Sequence, residues 1–212
     1  MPRTRIKICG IRTEDALFAA ADEGADAVGF MFVKSSPRYI EPEEAYELMT
    51  MLPAFVSAVG VFMDPKPDDF GDIEQVCPTP LTQLHGSEPE KLVNLCGPDV
   101  IKAVRFDPET IAAELDRWGV CEDVGAILVD GSTGGLGEAF EWARLASLVE
   151  DCAKPIILAG GLTPENVGEA IRAARPYAVD VSSGVEREKG VKDPALIEAF
   201  CRAVRRADAS ME

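Results

Sequence analysis

PIILAGGLTPENVGEAIRAARPYAVDVSS, Pro155 to Ser183, holds two short apolar runs, PIILAG and AVDVSS, on either side of a stretch whose apolar residues return every three or four positions. Runs of this length bounded by glycine and proline read as strands, and the stretch between them reads as an amphipathic helix. Thr163-Pro164-Glu165 opens that helix: a threonine oxygen can serve free amides and proline fits the first turn. Strand, helix and strand in this order make a β/α/β unit, whose two strands must run parallel because the helix carries the chain back.

The same alternation runs along the rest of the chain. Further apolar runs stand at 6–9 (IKIC), 27–32 (AVGFMF), 57–62 (SAVGVF), 81–85 (LTQLH), 100–106 (VIKAVRF) and 125–130 (GAILVD). Helical patterns follow them at 14–25, 42–52, weakly at 69–77, then at 88–96, 108–119 and 138–149, with a last one at 193–207 behind Asp193-Pro194. Thr13 and Asp193 are further expected caps. Eight β/α units suit a closed (β/α)8 barrel, a single TIM-barrel domain of the α/β class, with an open doubly wound sheet as the competing architecture. Central strands of an open sheet are buried on both faces and read as continuous apolar runs. Several strands here alternate instead. Facing Ile6 and Ile8 toward the helices turns Arg5, Lys7 and Cys9 inward, and the same rule turns Leu81, Gln83 and His85, and Ala178, Asp180 and Ser182, inward. The barrel domain is expected over 1–206, with 207–212 as a short polar tail.

Composition limits the partners. The 212 residues carry 21 Lys plus Arg against 37 Asp plus Glu, a formal net charge of -16. A broad nucleic-acid or anionic-membrane surface is excluded on electrostatic grounds, and any anionic ligand must be caught locally. The six cysteines form no C-x-x-C pair and the opening MPRTRIKICG has no apolar core of a secretory signal, so reduced thiols in a cytoplasm are expected. No apolar run approaches the roughly 20 residues of a membrane helix.

In barrels of this kind chemistry lies at the C-terminal ends of the strands. Those positions hold Cys9-Gly10, Gln83 and His85, Asp130-Gly131, Gly160-Gly161 and Asp180 with Ser182-Ser183-Gly184, and the loop SSPRYI adds Arg38. Either glycine pair alone could be a plain turn. Together, at the ends of the last two strands, Gly160, Gly161, Ser183 and Gly184 point to a phosphate site, where small residues let a ligand reach backbone N–H groups. A lone buried cysteine is ordinarily a small apolar filler. Cys9, however, ends an inward row with Arg5 and Lys7, whose charge would favour a thiolate. Asp130 is a turn cap or an acid, and His85 a structural histidine or a ligand contact. Arg38 is a solvated surface group or the local cation that a substrate carboxylate would need.

KICGI (7–11), GFMFVKSSPRYI (29–40), VGVF (59–62), QLHG (83–86), the VDG…GGLGEAFEW region (129–142), LAGGLTPENV (158–167) and VDVSSGVE…GVKD (179–193) together resemble the phosphoribosylanthranilate isomerase family of tryptophan biosynthesis. The resemblance covers nearly the whole chain and implies a (β/α)8 barrel that needs neither metal nor organic cofactor. It implies an Amadori rearrangement of N-(5-phosphoribosyl)anthranilate to 1-(o-carboxyphenylamino)-1-deoxyribulose 5-phosphate, with Cys9 as general base and Asp130 as general acid. Arg38, His85 and Asp180 would then bind substrate, and Gly160, Gly161, Ser183 and Gly184 its phosphate. The expected partner is this phosphorylated small molecule, with the protein as monomer or homodimer. Two departures stand out: the glycine-rich loop reads Gly135-Leu136-Gly137 where the family carries Thr or Ser between glycines, and Glu141 stands where it has Asp. Other phosphosugar barrel enzymes, or a non-catalytic phosphate-binding module on this fold, are the rival readings. The isomerase of histidine biosynthesis would place an aspartate at Cys9, and metal-dependent epimerases need more histidines than one.

Overall fold

The computed structural model describes residues 3–131 and 142–211. The chain runs β1 (Arg5–Cys9), α1 (Glu14–Asp22), β2 (Ala27–Met31), α2 (Pro42–Thr50), β3 (Ser57–Phe62), α3 (Pro67–Val76), β4 (Leu81–Leu84) and α4 (Glu90–Cys96). It continues through β5 (Val100–Arg105), α5 (Ile111–Gly119), β6 (Val124–Asp130), α6 (Trp142–Asp151), β7 (Ile156–Ala159), α7 (Val167–Ala174) and β8 (Ala178–Val181). A one-turn 3-10 helix (Ser183–Val185), a small hairpin of β9 (Glu186–Glu188) and β10 (Val191–Lys192), and α8 (Pro194–Ala209) complete it. The strands β1 to β8 form one closed barrel in sequence order. Closure is made by β1 on β8, in parallel register with Lys7 opposite Asp180. The open sheet is thereby excluded.

The pleat sorts the side chains as the alternation predicts. Ile6, Ile8, Val28, Phe30, Ile127, Leu158 and Val179 face outward and join the helices' buried faces in the larger core. Cys9, Val59, Val61, Ile101, Ala103, Leu128, Ile157, Ala159 and Ala178 fill the barrel itself. Burying each large aliphatic side chain contributes about 1.5–3 kcal/mol, so the outward set is the main source of stability. Its regular spacing also fixes the register, since a one-residue slip would turn Asp180 and Lys7 toward the helices.

Helix starts follow local chemistry. Thr13 accepts from the Ala16 N–H and Asp193 from the Ala195 N–H, while Pro42, Pro67 and Pro194 occupy first turns. The helix expected from Pro164 begins instead at Val167. Asn166 Oδ1 accepts from the Thr163 N–H at 2.8 Å and Thr163 Oγ1 from the Glu165 N–H at 3.2 Å, a closed turn that delays the helix. At the other end α8 runs to Ala209, past the expected start of the tail at 207. Ala207 is buried, and the Asp208 carboxylate accepts from Thr4 N at 2.9 Å and Thr4 Oγ1 at 2.7 Å. Those bonds tie the helix end to the chain just before β1. Gly135-Leu136-Gly137 and Glu141 lie outside the described residues.

Candidate active site

A cavity of about 790 Å³ opens at the C-terminal ends of the strands, a volume suited to a small organic ligand. Cys9 reaches it from β1, Gln83 and His85 from β4, Asp130 from β6, Gly160 and Gly161 from the end of β7, and Asp180, Ser182 and Ser183 from β8 and the turn after it. Arg38 and Glu186 form part of its rim. Eight of the nine site residues expected from the sequence therefore line one space. Gly184 is not among its lining residues. A Cβ there would stand 1.9 Å from the Leu162 carbonyl oxygen, so glycine lets the turn after β8 pass against the loop after β7. Gly160 and Gly161 adopt φ of 88° and 66°, conformations that side chains strain against.

The inward row of β1 divides between the two ends of the barrel. Arg5 lies four residues before Cys9, a span of about 13 Å along a strand. It lines a second cavity of about 400 Å³ at the N-terminal end and sets its guanidinium 4.1 Å from the centre of the Tyr177 ring. It therefore adds nothing to the thiol, contrary to expectation. Lys7 does approach it, but its Nζ donates to Asp180 Oδ1 at 2.8 Å with both side chains buried. The Asp180 carboxylate offsets part of the lysine's charge at the thiol. Burial pushes the Cys9 thiol above its ordinary value, Lys7 pulls it back only in part, and Asp180 pushes it further up. Burial thus favours the neutral thiol, against the thiolate that the charges of Arg5 and Lys7 suggest from the sequence.

This reverses the labelling behaviour expected from a charge-activated cysteine. Only the thiolate attacks iodoacetamide. The rate at Cys9, read by peptide mapping, should be slow at neutral pH and still climbing as pH passes the ordinary thiol value of 9.0. Cys77 and Cys96, pushed to about 11, and Cys201, pushed to about 12, all by burial, stay protonated through that range. A Cys9 rate that levels off below neutrality would contradict the burial argument.

Arg38 is already paired. Its Nε donates to Glu186 Oε1 at 2.6 Å and one terminal nitrogen donates to Glu186 Oε2 at 3.0 Å, while Lys192 Nζ donates to Glu186 Oε1 at 2.7 Å. Burial alone would push Glu186 up, but the bonds from Arg38, Lys192 and the Gly190 N–H outweigh it and hold the carboxyl at about 2. Lys192 also donates to the Ser182 carbonyl at 2.9 Å, and Ser182 Oγ donates to the Cys9 carbonyl at 3.1 Å. One chain of polar contacts thus joins the rim arginine, the hairpin after β8 and the end of β1. Sequence reasoning missed Glu186 and Lys192, which sit in the two halves of VDVSSGVE…GVKD. Their spacing of six residues across a hairpin was the available signal.

At the opposite wall Gln83 Nε2 lies 2.8 Å from His85 Nδ1, and His85 Nε2 lies 3.2 Å from Asp130 Oδ2. The only histidine of the chain therefore stands against the expected acid. Among the described residues no group of three or more His, Cys, Asp or Glu side chains is placed to hold a metal ion, and no helix is long and apolar enough to cross a membrane.

A family model described as N-(5'phosphoribosyl)anthranilate (PRA) isomerase matches residues 6–203. An N-(5'-phosphoribosyl)anthranilate isomerase of Pseudomonas fluorescens strain Pf-5 is 46% identical over 217 aligned positions, covering 100% of both chains. The crystal structure of phosphoribosyl anthranilate isomerase from Thermotoga maritima superposes with a TM-score of 0.87 at 38% identity, over 96% of this chain and 99% of that one. A further isomerase structure, in complex with reduced 1-(o-carboxyphenylamino)-1-deoxyribulose 5-phosphate, matches with a TM-score of 0.82 at 36% identity over 96% and 99% of the two chains.

Proposed function

The chain belongs to the N-(5'-phosphoribosyl)anthranilate isomerase family, and from that premise we propose which of its residues carry the reaction. The protein is the isomerase of tryptophan biosynthesis and performs the Amadori rearrangement of N-(5-phosphoribosyl)anthranilate. Asp130 gives a proton to the furanose ring oxygen as the C1'–O bond breaks, and the nitrogen lone pair forms an iminium at C1'. The iminium draws electrons from C2'. Cys9, as thiolate, takes the C2' proton, leaving an enolamine that tautomerises to the C2' ketone by gaining a proton at C1'. No water is added and nothing leaves.

The observation that supports these roles best is that Cys9 and Asp130, from two strands that are not neighbours, line a single cavity. The active form has its proton on Asp130 and none on Cys9. Lys7 and Lys192, the cations that favour the thiolate, lower the cost of that form. Gly160, Gly161 and Ser183 offer backbone N–H groups to the phosphate where barrels commonly hold one, and Gly184 lets the two loops meet there. Asp180 keeps Lys7 charged beside Cys9. The protein works in the cytoplasm, as a monomer or a homodimer, a choice that analytical ultracentrifugation decides.

Turnover is the direct test. Loss of the fluorescence of phosphoribosylanthranilate on adding the purified chain is expected, as is rescue of a tryptophan auxotroph lacking this isomerase. A protein that binds the substrate without consuming it would be the phosphate-binding module of the rival reading.

Arg38 is assigned to the anthranilate carboxylate. With Nε and one terminal nitrogen held by Glu186, the other terminal nitrogen remains to meet a ligand, and the pairing sets the plane of the guanidinium in advance. The carboxylate is present equally in the ground and transition states, so Arg38→Ala should raise KM by roughly 10- to 100-fold and lower kcat far less. Steady-state kinetics check this. A collapse of kcat at saturating substrate with KM unchanged would move Arg38 into the chemistry.

A further inference from the structure

Gln83 has no part in the reaction as described, yet its side chain is 1% exposed inside the barrel and reaches the one histidine at the cavity wall. We infer that Gln83 and His85 are positioning residues for Asp130: Gln83 fixes the histidine as the Nε2–H tautomer, and His85 donates that N–H to Asp130 Oδ2.

The orientation of the Gln83 amide decides the tautomer. Its nitrogen faces His85 Nδ1 at 2.8 Å, and its oxygen, Oε1, is buried without a hydrogen-bond partner among the described residues. Turning the amide over would put the oxygen on Nδ1 and bury an NH2 group, with two N–H donors, in the place the oxygen now holds. A buried carbonyl oxygen short of a partner is tolerated better than buried N–H groups short of theirs. The amide nitrogen therefore stays on His85. Nδ1 must then accept, which in a neutral imidazole places the ring proton on Nε2. Nε2 lies 3.2 Å from Asp130 Oδ2, so the ring donates there.

The consequence for the acid follows from which oxygen is occupied. With Oδ2 receiving the histidine N–H, the acid's own proton sits on Oδ1. As that proton moves to the sugar ring oxygen, the forming carboxylate already has a donor in place, and no dipole has to reorient. His85 thus acts on the acid, and the substrate contact expected for it from the sequence is not needed to explain its place. This inference rests on Asp130 being the acid, but its structural half can be read without any turnover.

The chain has a single histidine, so heteronuclear NMR of isotope-labelled histidine in the wild-type protein reports His85 alone. The expected spectrum of the neutral ring is that of one tautomer, protonated at Nε2. In Gln83→Leu both tautomers should appear. Finding the Nδ1–H tautomer in the wild type would overturn the inference, since Asp130 would then be the donor to the ring. In kinetics, His85→Ala should lower kcat by roughly 10- to 100-fold, the scale of a hydrogen bond to a charged group, with KM within a few-fold of wild type. His85→Gln, whose amide N–H can stand near the place of Nε2, should recover most of that loss. A raised KM with kcat intact would make His85 a substrate contact and overturn it too. Should Asp130→Asn remain active, the assignment of the acid fails while the tautomer result stands, so the two failures are told apart.

Discussion

Exchanging either member of the acid–base pair should stop turnover while leaving binding in place. Asp130→Asn removes the proton for the ring oxygen, and Cys9→Ala removes the acceptor for the C2' proton; each should lower kcat by roughly 10²–10⁴-fold, the range of a positioned acid or base. The variants differ in where the reaction halts. Without Asp130 the furanose stays closed, whereas without Cys9 the ring opens and the iminium returns to substrate. Cys9 is buried within a packed barrel interior, so the alanine variant also leaves a small void. Its cost falls on stability, and thermal unfolding separates it from the catalytic loss. The residues proposed for the phosphate and the carboxylate lie elsewhere around the cavity, so affinity for a product analogue should survive in both.

The second large effect is expected at Gly184. Its φ is not in the left-handed region, so the constraint is space alone: a Cβ would stand 1.9 Å from the Leu162 oxygen and 2.9 Å from the Leu162 carbonyl carbon. Backbone atoms cannot rotate aside as a side-chain end can, so Gly184→Val must push the loops after β7 and β8 apart. Those loops carry Gly160, Gly161 and Ser183, the groups assigned to the phosphate. KM should rise by roughly 10- to 150-fold, the equivalent of losing charge-assisted hydrogen bonds of about 1.5–3 kcal/mol. Gly161→Ala, strained through its φ of 66°, should follow more mildly, at about 1–2 kcal/mol. An unchanged KM in a folded Gly184→Val protein would remove the phosphate from these loops.

How much of this was legible in the sequence depends on the range of the interaction. The strands were legible because alternation is local: Ile6 and Ile8 outward and Cys9 inward are settled within one strand by the period of two. The same rule placed Gln83, His85, Asp180 and Ser182 inside. The rule gives the face and not the reach of a charge: Arg5 opens the strand that Cys9 closes, about 13 Å away, too far to act on the thiol. Pairings between distant segments left no mark. Lys7 meets Asp180 across the closure of the barrel and Arg38 meets Glu186 across 148 positions, and no local pattern announces either. At Cys9 the push toward the thiol comes first from burial and then from Asp180, and both depend on how the closed barrel surrounds the strand end. The hairpin of β9 and β10 was missed for a different reason. Glu186, Arg187 and Glu188 have no apolar alternation, and the hairpin carries instead a buried ion pair between Lys192 and Glu186. The onset of α7 was misplaced because Thr163 and Asn166 can cap a turn as readily as a helix.

The most direct test of the account is turnover by Cys9→Ala, followed through the fluorescence of phosphoribosylanthranilate at saturating substrate, on protein whose affinity for a reduced product analogue has been measured by calorimetry. The account predicts wild-type affinity and a kcat lower by at least roughly 10²-fold. A Cys9→Ala protein that turns over substrate at the wild-type rate would show that this thiol only fills the barrel and that another group takes the C2' proton.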